Sequence, residues 1–121
     1  MTPLDMSTMS AKARLLACVS EAEFMQAILD EARADGWLAF HVYDSKRSEP
    51  GFPDIVLLRN GECLVFEVKR EDGRTTAAQE QWLDAFGAVP GVHSTVIRPR
   101  HWDTLVTRLR SPRWGVGEVV D

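Results

Sequence analysis

The feature that most constrains the fold of this chain is an Asn-Gly pair, Asn60-Gly61, between two apolar runs. Ile55–Leu58 precedes the pair and Cys63–Phe66 follows it. Asn and Gly readily occupy the two positive-φ positions of a type I′ turn, so this pattern predicts a tight β-hairpin. In a hairpin the start of the first strand lies beside the end of the second. Residue 54 and residues 67–69 are therefore expected to be neighbours.

Ionisable side chains occupy the two strand ends that this hairpin brings together. Asp54 opens the first strand, and Glu67 and Lys69 close the second. Alternate strand residues share a face, so Glu67 and Lys69 point to one side and Val68 to the other. Both faces of the second strand are apolar, as in a central strand covered on both sides. A surface Glu–Lys ladder is one interpretation. Two carboxylates meeting at one point need a cation, however, and Lys69 alone matches both poorly.

Periodicity in the rest of the chain predicts three helices and two further strands around the hairpin. They cover residues 20–34, 37–43, about 76–86, 92–97 and 101–109. The resulting order is α-β-β-β-α-β-α. A hairpin followed by a β-α-β crossover predicts an α/β fold with a mixed central sheet flanked by helices.

Length and composition narrow the class of protein. A chain of 121 residues has room for one domain and one modest core. It has no apolar run of membrane-spanning length and no signal-peptide pattern at its start, so we expect a cytoplasmic protein without membrane contact. Cys18 and Cys63 are too few for a zinc site. The net charge is −4, yet residues 98–113 contain five arginines against one aspartate, a pattern compatible with phosphate contacts.

Several short motifs match, in the same order along the chain, the sequence pattern of a known family. The chain resembles the VRR-NUC branch of the PD-(D/E)XK nuclease superfamily, whose pattern is G-x-P-D, E-x-K, G-R and Q-x-x-W. The matching residues are Gly51-Phe52-Pro53-Asp54, Glu67-Val68-Lys69, Gly73-Arg74, Gln79 and Trp82. The resemblance implies a restriction-endonuclease-like core and a VRR-NUC-like nuclease domain over residues 20–110. Residues 1–19 are then expected to be an N-terminal extension that either is partly disordered or packs on a partner, and residues 111–121 an irregular tail.

The resembled family also uses a glutamate from its first helix, and two acids compete for that role. At about 100° per residue, Glu21 lies in line with Phe24 and Ile28 and is expected to face inward. Glu23 lies nearly opposite and is spaced to form a capping box with Ser20. We therefore assign Glu21 to the site and Glu23 to capping. The alternative role for Glu21 is stabilisation of the helix dipole.

The resemblance implies Mg²⁺ or Mn²⁺ as cofactor, and hard oxygen donors suit these ions. The expected ligands are Asp54, Glu67, the Val68 carbonyl and Glu21. Lys69 would position or deprotonate a water molecule, or stabilise charge on the phosphoryl group.

Gln79 is expected to help order the site, its alternative role being a capping or surface amide. Basic residues near the site are candidates for DNA contacts: Lys46, Arg47, Arg70 and Arg74.

Three functions compete at this stage. The first is a metal-dependent DNA endonuclease, the second a catalytically silent nucleic-acid-binding module on the same fold, and the third an unrelated small α/β protein. By analogy with stand-alone, phage-type members of the resembled branch, we expect a homodimer that acts on branched DNA or Holliday junctions, in the host cytoplasm if phage-encoded. Trp102, Trp114 and the apolar stripe before residue 20 are candidate dimer surfaces.

Overall fold

A computed structural model describes residues 6–42 and 49–111 of the protein. Its helices are α1 (Ala11–Leu16), α2 (Glu21–Ala34), α3 (Ala77–Gly87) and α4 (Trp102–Arg110). Its strands are β1 (Leu38–His41), β2 (Ile55–Arg59), β3 (Glu62–Val68) and β4 (Val92–Ile97). Single 3₁₀ turns cover Met6–Thr8 and Pro99–His101. From α2 onward the order is the predicted α-β-β-β-α-β-α, and α1 precedes it.

The four strands form one mixed sheet in the order β1-β2-β3-β4. β1 and β2 pair antiparallel, as do β2 and β3, whereas β3 and β4 pair parallel. The predicted hairpin is confirmed: Asn60 and Gly61 have φ angles of 50° and 83°, as a type I′ turn requires. The register pairs Ile55 with Phe66, so the residues just outside this pair, at positions 54 and 67, are neighbours.

The two faces of the sheet are covered unequally. One face packs against α1, α2 and α4 in the main core, which includes Phe24, Leu64 and Leu109. α3 covers the other face over β3 and β4. In the described ranges no helix covers the outer half of that second face, and its apolar side chains on β1 and β2 are exposed: Leu38 (72%), Phe40 (59%) and Leu58 (46%). β3 is therefore the central, doubly covered strand that its sequence predicted.

Local caps fix the helices that flank the site. Ser20 and Glu23 form the predicted capping box of α2, and Gly36 (φ 88°) follows the helix end. Thr76 and Gln79 form the same motif at the start of α3. None of the helices in the described ranges is long and apolar enough to cross a membrane.

The structure bears on two expectations about the ends of the chain. Trp102 was a candidate dimer surface, and that prediction is wrong: its side chain is buried in the main core. Some described residues before α2 also belong to this core, since Met9, Ala13 and Leu16 are buried there. Trp114 lies outside the described residues.

Candidate metal and catalytic site

Asp54 is held in place by backbone pairing on both sides. Its N–H donates to the carbonyl of Phe66 at 3.0 Å, and its carbonyl accepts from Val42 at 3.1 Å. These bonds extend the β1–β2–β3 ladder by one residue beyond β2. The side chain turns across the hairpin, where Oδ2 accepts a hydrogen bond of 2.8 Å from the N–H of Val68. The carboxylate of Asp54 is thereby placed beside the last residue of β3, as the hairpin pattern predicted.

Glu67 is the most unusual group of the site, because it is a carboxylate on a fully covered strand. Only 2% of it is exposed. The pKa of Glu67 is raised from 4.5 to about 8, first by burial and then by the charge and hydrogen bonding of Asp54, while Lys69 acts in the opposite direction. A carboxylate that loses water and gains a second carboxylate as neighbour is costly to ionise. The site is therefore a place where a cation would be stabilising.

Lys69 and Gln79 contact the same oxygen of Glu67. Lys69 Nζ lies 3.4 Å from Glu67 Oε2, and Gln79 Nε2 donates to that oxygen at 3.0 Å. Gln79 Oε1 in turn accepts from the N–H of Thr76 at 2.9 Å. One amide thus serves both roles considered for it: its oxygen caps α3 and its nitrogen orients Glu67. The start of α3 is fixed relative to the end of β3 by this side chain.

The loop before Asp54 is docked onto α3. Gly51 has a φ of +83°, and a Cβ there would come within 2.5 Å of the Ala78 backbone, so only glycine fits this close approach. Trp82 Nε1 donates to the carbonyl of Pro50 at 3.1 Å, and the Trp82 ring packs edge-on against Phe52 with centroids 5.1 Å apart. The Gly51 and Trp82 positions of the motif therefore hold the chain that leads into Asp54.

The donor set at this point fits a hard divalent cation. Glu67 Oε1 is buried and has no hydrogen-bond partner within the described ranges. Buried carboxylate oxygens are rarely left unpaired, and such an oxygen next to a second carboxylate is a suitable metal ligand. No group of three or more His, Cys, Asp or Glu side chains in the described parts of the chain is arranged to hold a metal ion. Asp54 and Glu67 are thus the protein carboxylates that meet here.

Glu21 does not take the inward position that its helical phase predicted. Its side chain is exposed, and it forms no such group with Asp54 and Glu67 among the described residues. The expectation of an inward-facing Glu21 was wrong because helical phase gives a direction around the axis but not what lies there. Glu21 is the first residue of α2, and first-turn side chains lean toward the helix N-terminus, past the packed part of the helix. Its role in the site stays a prediction.

The basic candidates fall into two groups. Arg70 and Arg74 are exposed on the turn that follows Lys69. Lys46 and Arg47 lie outside the described residues. Sequence reasoning missed a further arginine, Arg98, whose side chain donates hydrogen bonds to the carbonyls of this same turn. No local sequence signal could have identified it, because the contact depends on the parallel pairing of β3 with β4.

Comparison with known proteins gives one match. The model of a family described as the VRR-NUC domain matches residues 4–100. This range includes Asp54, Glu67, Lys69 and Gln79, and it begins before the boundary at residue 20 expected from the motifs. No curated protein and no solved structure matches the chain.

Proposed function

Because the chain belongs to the VRR-NUC domain family, a family of nucleases, we propose that it is a divalent-metal-dependent DNA endonuclease. Family membership establishes a nuclease-type function in DNA processing. The observation that carries the proposal of metal dependence is the meeting of Asp54 with the buried Glu67, with Lys69 and Gln79 on the same Glu67 oxygen. A carboxylate with a raised pKa among other ionisable side chains is typical of an active site.

In this proposal Asp54 and Glu67 hold Mg²⁺ or Mn²⁺, and the Val68 carbonyl and Glu21 are proposed as further ligands. A bound divalent cation supplies positive charge for the phosphoryl oxygens and lowers the pKa of water. Gln79 keeps Glu67 in a single orientation by donating to its Oε2. The N–H of Val68 does the same for Asp54. Both carboxylates are therefore oriented before any ligand binds, which lowers the cost of reorganisation.

Lys69 is placed to act on the reacting phosphate. Its ammonium carries three N–H groups, so the contact with Glu67 Oε2 leaves donors for a water molecule or a phosphoryl oxygen. Negative charge grows on the phosphoryl oxygens during hydrolysis, and a cation held nearby stabilises that charge. We propose this as the main role of Lys69, with proton transfer to or from water as the alternative.

We propose branched DNA, including Holliday junctions, as the substrate, and a homodimer as the active form. The described part of the chain is one small α/β unit, so selectivity would come from DNA shape and from pairing two sites. Such a dimer has an apolar surface available to it, formed by Leu38, Phe40 and Leu58 on the open half of the sheet. The cytoplasm, or a host cytoplasm for a phage-encoded protein, is the proposed location.

Cleavage of a DNA panel tests this proposal. Linear, flap, fork and four-way DNA are incubated with the protein in Mg²⁺, Mn²⁺, Ca²⁺ or a chelator, and binding is measured in Ca²⁺. We expect cleavage of the branched forms in Mg²⁺ or Mn²⁺, none with chelator, and none by Asp54→Asn. Binding without cleavage of any DNA in any metal would instead identify a nucleic-acid-binding module. Equal cleavage of linear and branched DNA would refute the proposed selectivity for branched DNA.

A further inference from the structure

The turn that follows Lys69 accepts several hydrogen bonds from one arginine, Arg98. Arg98 lies just after β4, and its Nη1 donates to the carbonyls of Arg70 at 2.7 Å and Gly73 at 2.6 Å. A longer contact of 3.4 Å joins the same nitrogen to the carbonyl of Glu71. These contacts use Nη1 of the guanidinium and fix the side chain of Arg98 on the turn. Arg98 is therefore placed as a clamp on the turn.

Further hydrogen bonds define the conformation of the turn and connect it to the segment after β4. The N–H of Gly73 donates to the carbonyl of Arg70 at 3.1 Å, which closes the turn. The side chain of Glu71 reaches back and accepts from the N–H of Arg100 at 2.6 Å. The parallel pairing of β3 with β4 continues to the base of the turn, where the N–H of Lys69 donates to the carbonyl of Ile97 at 3.0 Å. The hydrogen bonds of Arg98 thus extend the connection between the ends of β3 and β4 into the turn.

The clamped turn lies beside the side chain of Lys69. A Cβ added to Gly73 would be 3.5 Å from Lys69 Cδ, so the backbone of Gly73 is a close neighbour of the Lys69 stem. The turn therefore borders one side of the aliphatic part of Lys69, whose ammonium lies 3.4 Å from Glu67 Oε2. A long, flexible side chain has fewer accessible conformations when backbone borders its stem, so the turn reduces the entropic cost of holding the ammonium in place.

We propose that Arg98 is a positioning residue for Lys69: by fixing the turn at residues 70–73, it holds the Lys69 ammonium against Glu67. This inference rests on the proposed nuclease function for its catalytic consequence, but the ordering of the turn can be measured without cleavage. Arg98 touches no reacting atom in this scheme. Its loss acts on turnover more than on DNA affinity, because Arg70 and Arg74 keep their charges.

The test uses Arg98→Met, which keeps a long stem without hydrogen-bond donors, and Arg14→Met as matched control. Arg14 also donates from a guanidinium to a backbone carbonyl, that of Met9, but on the N-terminal helix. Both variants lose one positive charge. Amide hydrogen exchange at Gly73 is measured in each protein, with turnover in Mg²⁺ and DNA affinity in Ca²⁺.

We expect faster exchange at Gly73 in Arg98→Met and a turnover reduced on the order of 10- to 100-fold, as small displacements of a catalytic group produce. Affinity should change by less than about 3-fold, and Arg14→Met should match wild type in all three measurements. Unchanged exchange at Gly73 would overturn the clamp, and faster exchange with wild-type turnover would overturn the positioning of Lys69. If Arg98→Met does not fold, Arg98→Gln takes its place with the same criteria. An inactive wild type would refute the proposed function, while exchange would still decide whether Arg98 orders the turn.

Discussion

Glu67→Gln should make the metal-free protein more stable at alkaline pH. The pKa of Glu67 is raised from 4.5 to about 8 in the folded protein. Between these values the unfolded chain has lost this proton and the folded chain retains it, so the free energy of unfolding falls as pH rises. The slope is about 1.4 kcal/mol per pH unit, which amounts to roughly 5 kcal/mol across the window. Glutamine carries no such proton, and this part of the pH dependence disappears.

The difference between variant and wild type is the quantity to measure. Urea unfolding is followed from pH 5 to pH 9 in chelator, so that no cation neutralises the site. Near pH 5 the two proteins should be similar, because Glu67 is protonated and resembles glutamine. At pH 9 the variant should be more stable by several kcal/mol, a large part of the stability of a small domain. Effects of pH on groups that do not interact with Glu67 are common to both proteins and cancel in the difference.

Glu62→Gln is the matched control on the same strand. Glu62 is 7% exposed, but its carboxylate is paired with Arg108 through Nη2 and lies 3.8 Å from Arg59 Nη2. Replacing it leaves these guanidinium groups without their partner, which should cost on the order of 3 kcal/mol at pH 9. At pH 9, replacing Glu by Gln is therefore expected to stabilise the protein at one end of β3 and to destabilise it at the other. Parallel pH curves for wild type and Glu67→Gln would refute the conclusion that this carboxylate is costly to ionise.

Three further changes test the proposed roles. Lys69→Ala should lower turnover on the order of 10²-fold while DNA still binds in Ca²⁺. Lys69→Arg should also be impaired in turnover, and wild-type turnover of this variant would indicate that Lys69 serves only as an ion-pair partner of Glu67. Glu21→Gln should lower cleavage more than Glu23→Gln, whose amide oxygen can still cap α2, and equal losses would remove Glu21 from the site. Gly51→Ala should reduce the melting temperature well beyond Gly36→Ala, because both glycines have positive φ but only at Gly51 does a Cβ meet the Ala78 backbone. Similar shifts in melting temperature for the two glycine variants would mean that the loop at Gly51 can move away from Ala78 at little energetic cost.

The hairpin and its polar end could be predicted because their causes are local. Asn60 and Gly61 determine the turn, the turn determines the register, and the register places Asp54 beside Glu67. Gln79 was also found from sequence, because Gln79 and Trp82 match the Q-x-x-W motif of the resembled family. What sequence could not show is that its amide nitrogen reaches Glu67 from the start of the helix.

Predictions failed where the answer depended on contacts between distant segments. The inward position of Glu21 followed from helical phase alone, but phase does not reveal where the neighbouring elements end. Trp102 was named as a candidate dimer surface because the apolar stripe of α4 does not specify whether the same chain or a partner covers it. The short helix α1 has six residues, too few for a strong periodic signal, and it is stabilised by packing against the rest of the core.

The two buried glutamates of β3 show why the site points to a cation. Even-numbered Glu62 faces the core beneath α4, and the fold supplies it with Arg108 and Arg59. Odd-numbered Glu67 faces α3, and the same fold gives it one ammonium and a second carboxylate, Asp54. A chain able to place two guanidinium groups beside one buried acid has no structural need to place two acids together a few residues away. Because local rules are typically broken at functional sites, this pairing of acids supports the proposal of a positively charged ligand.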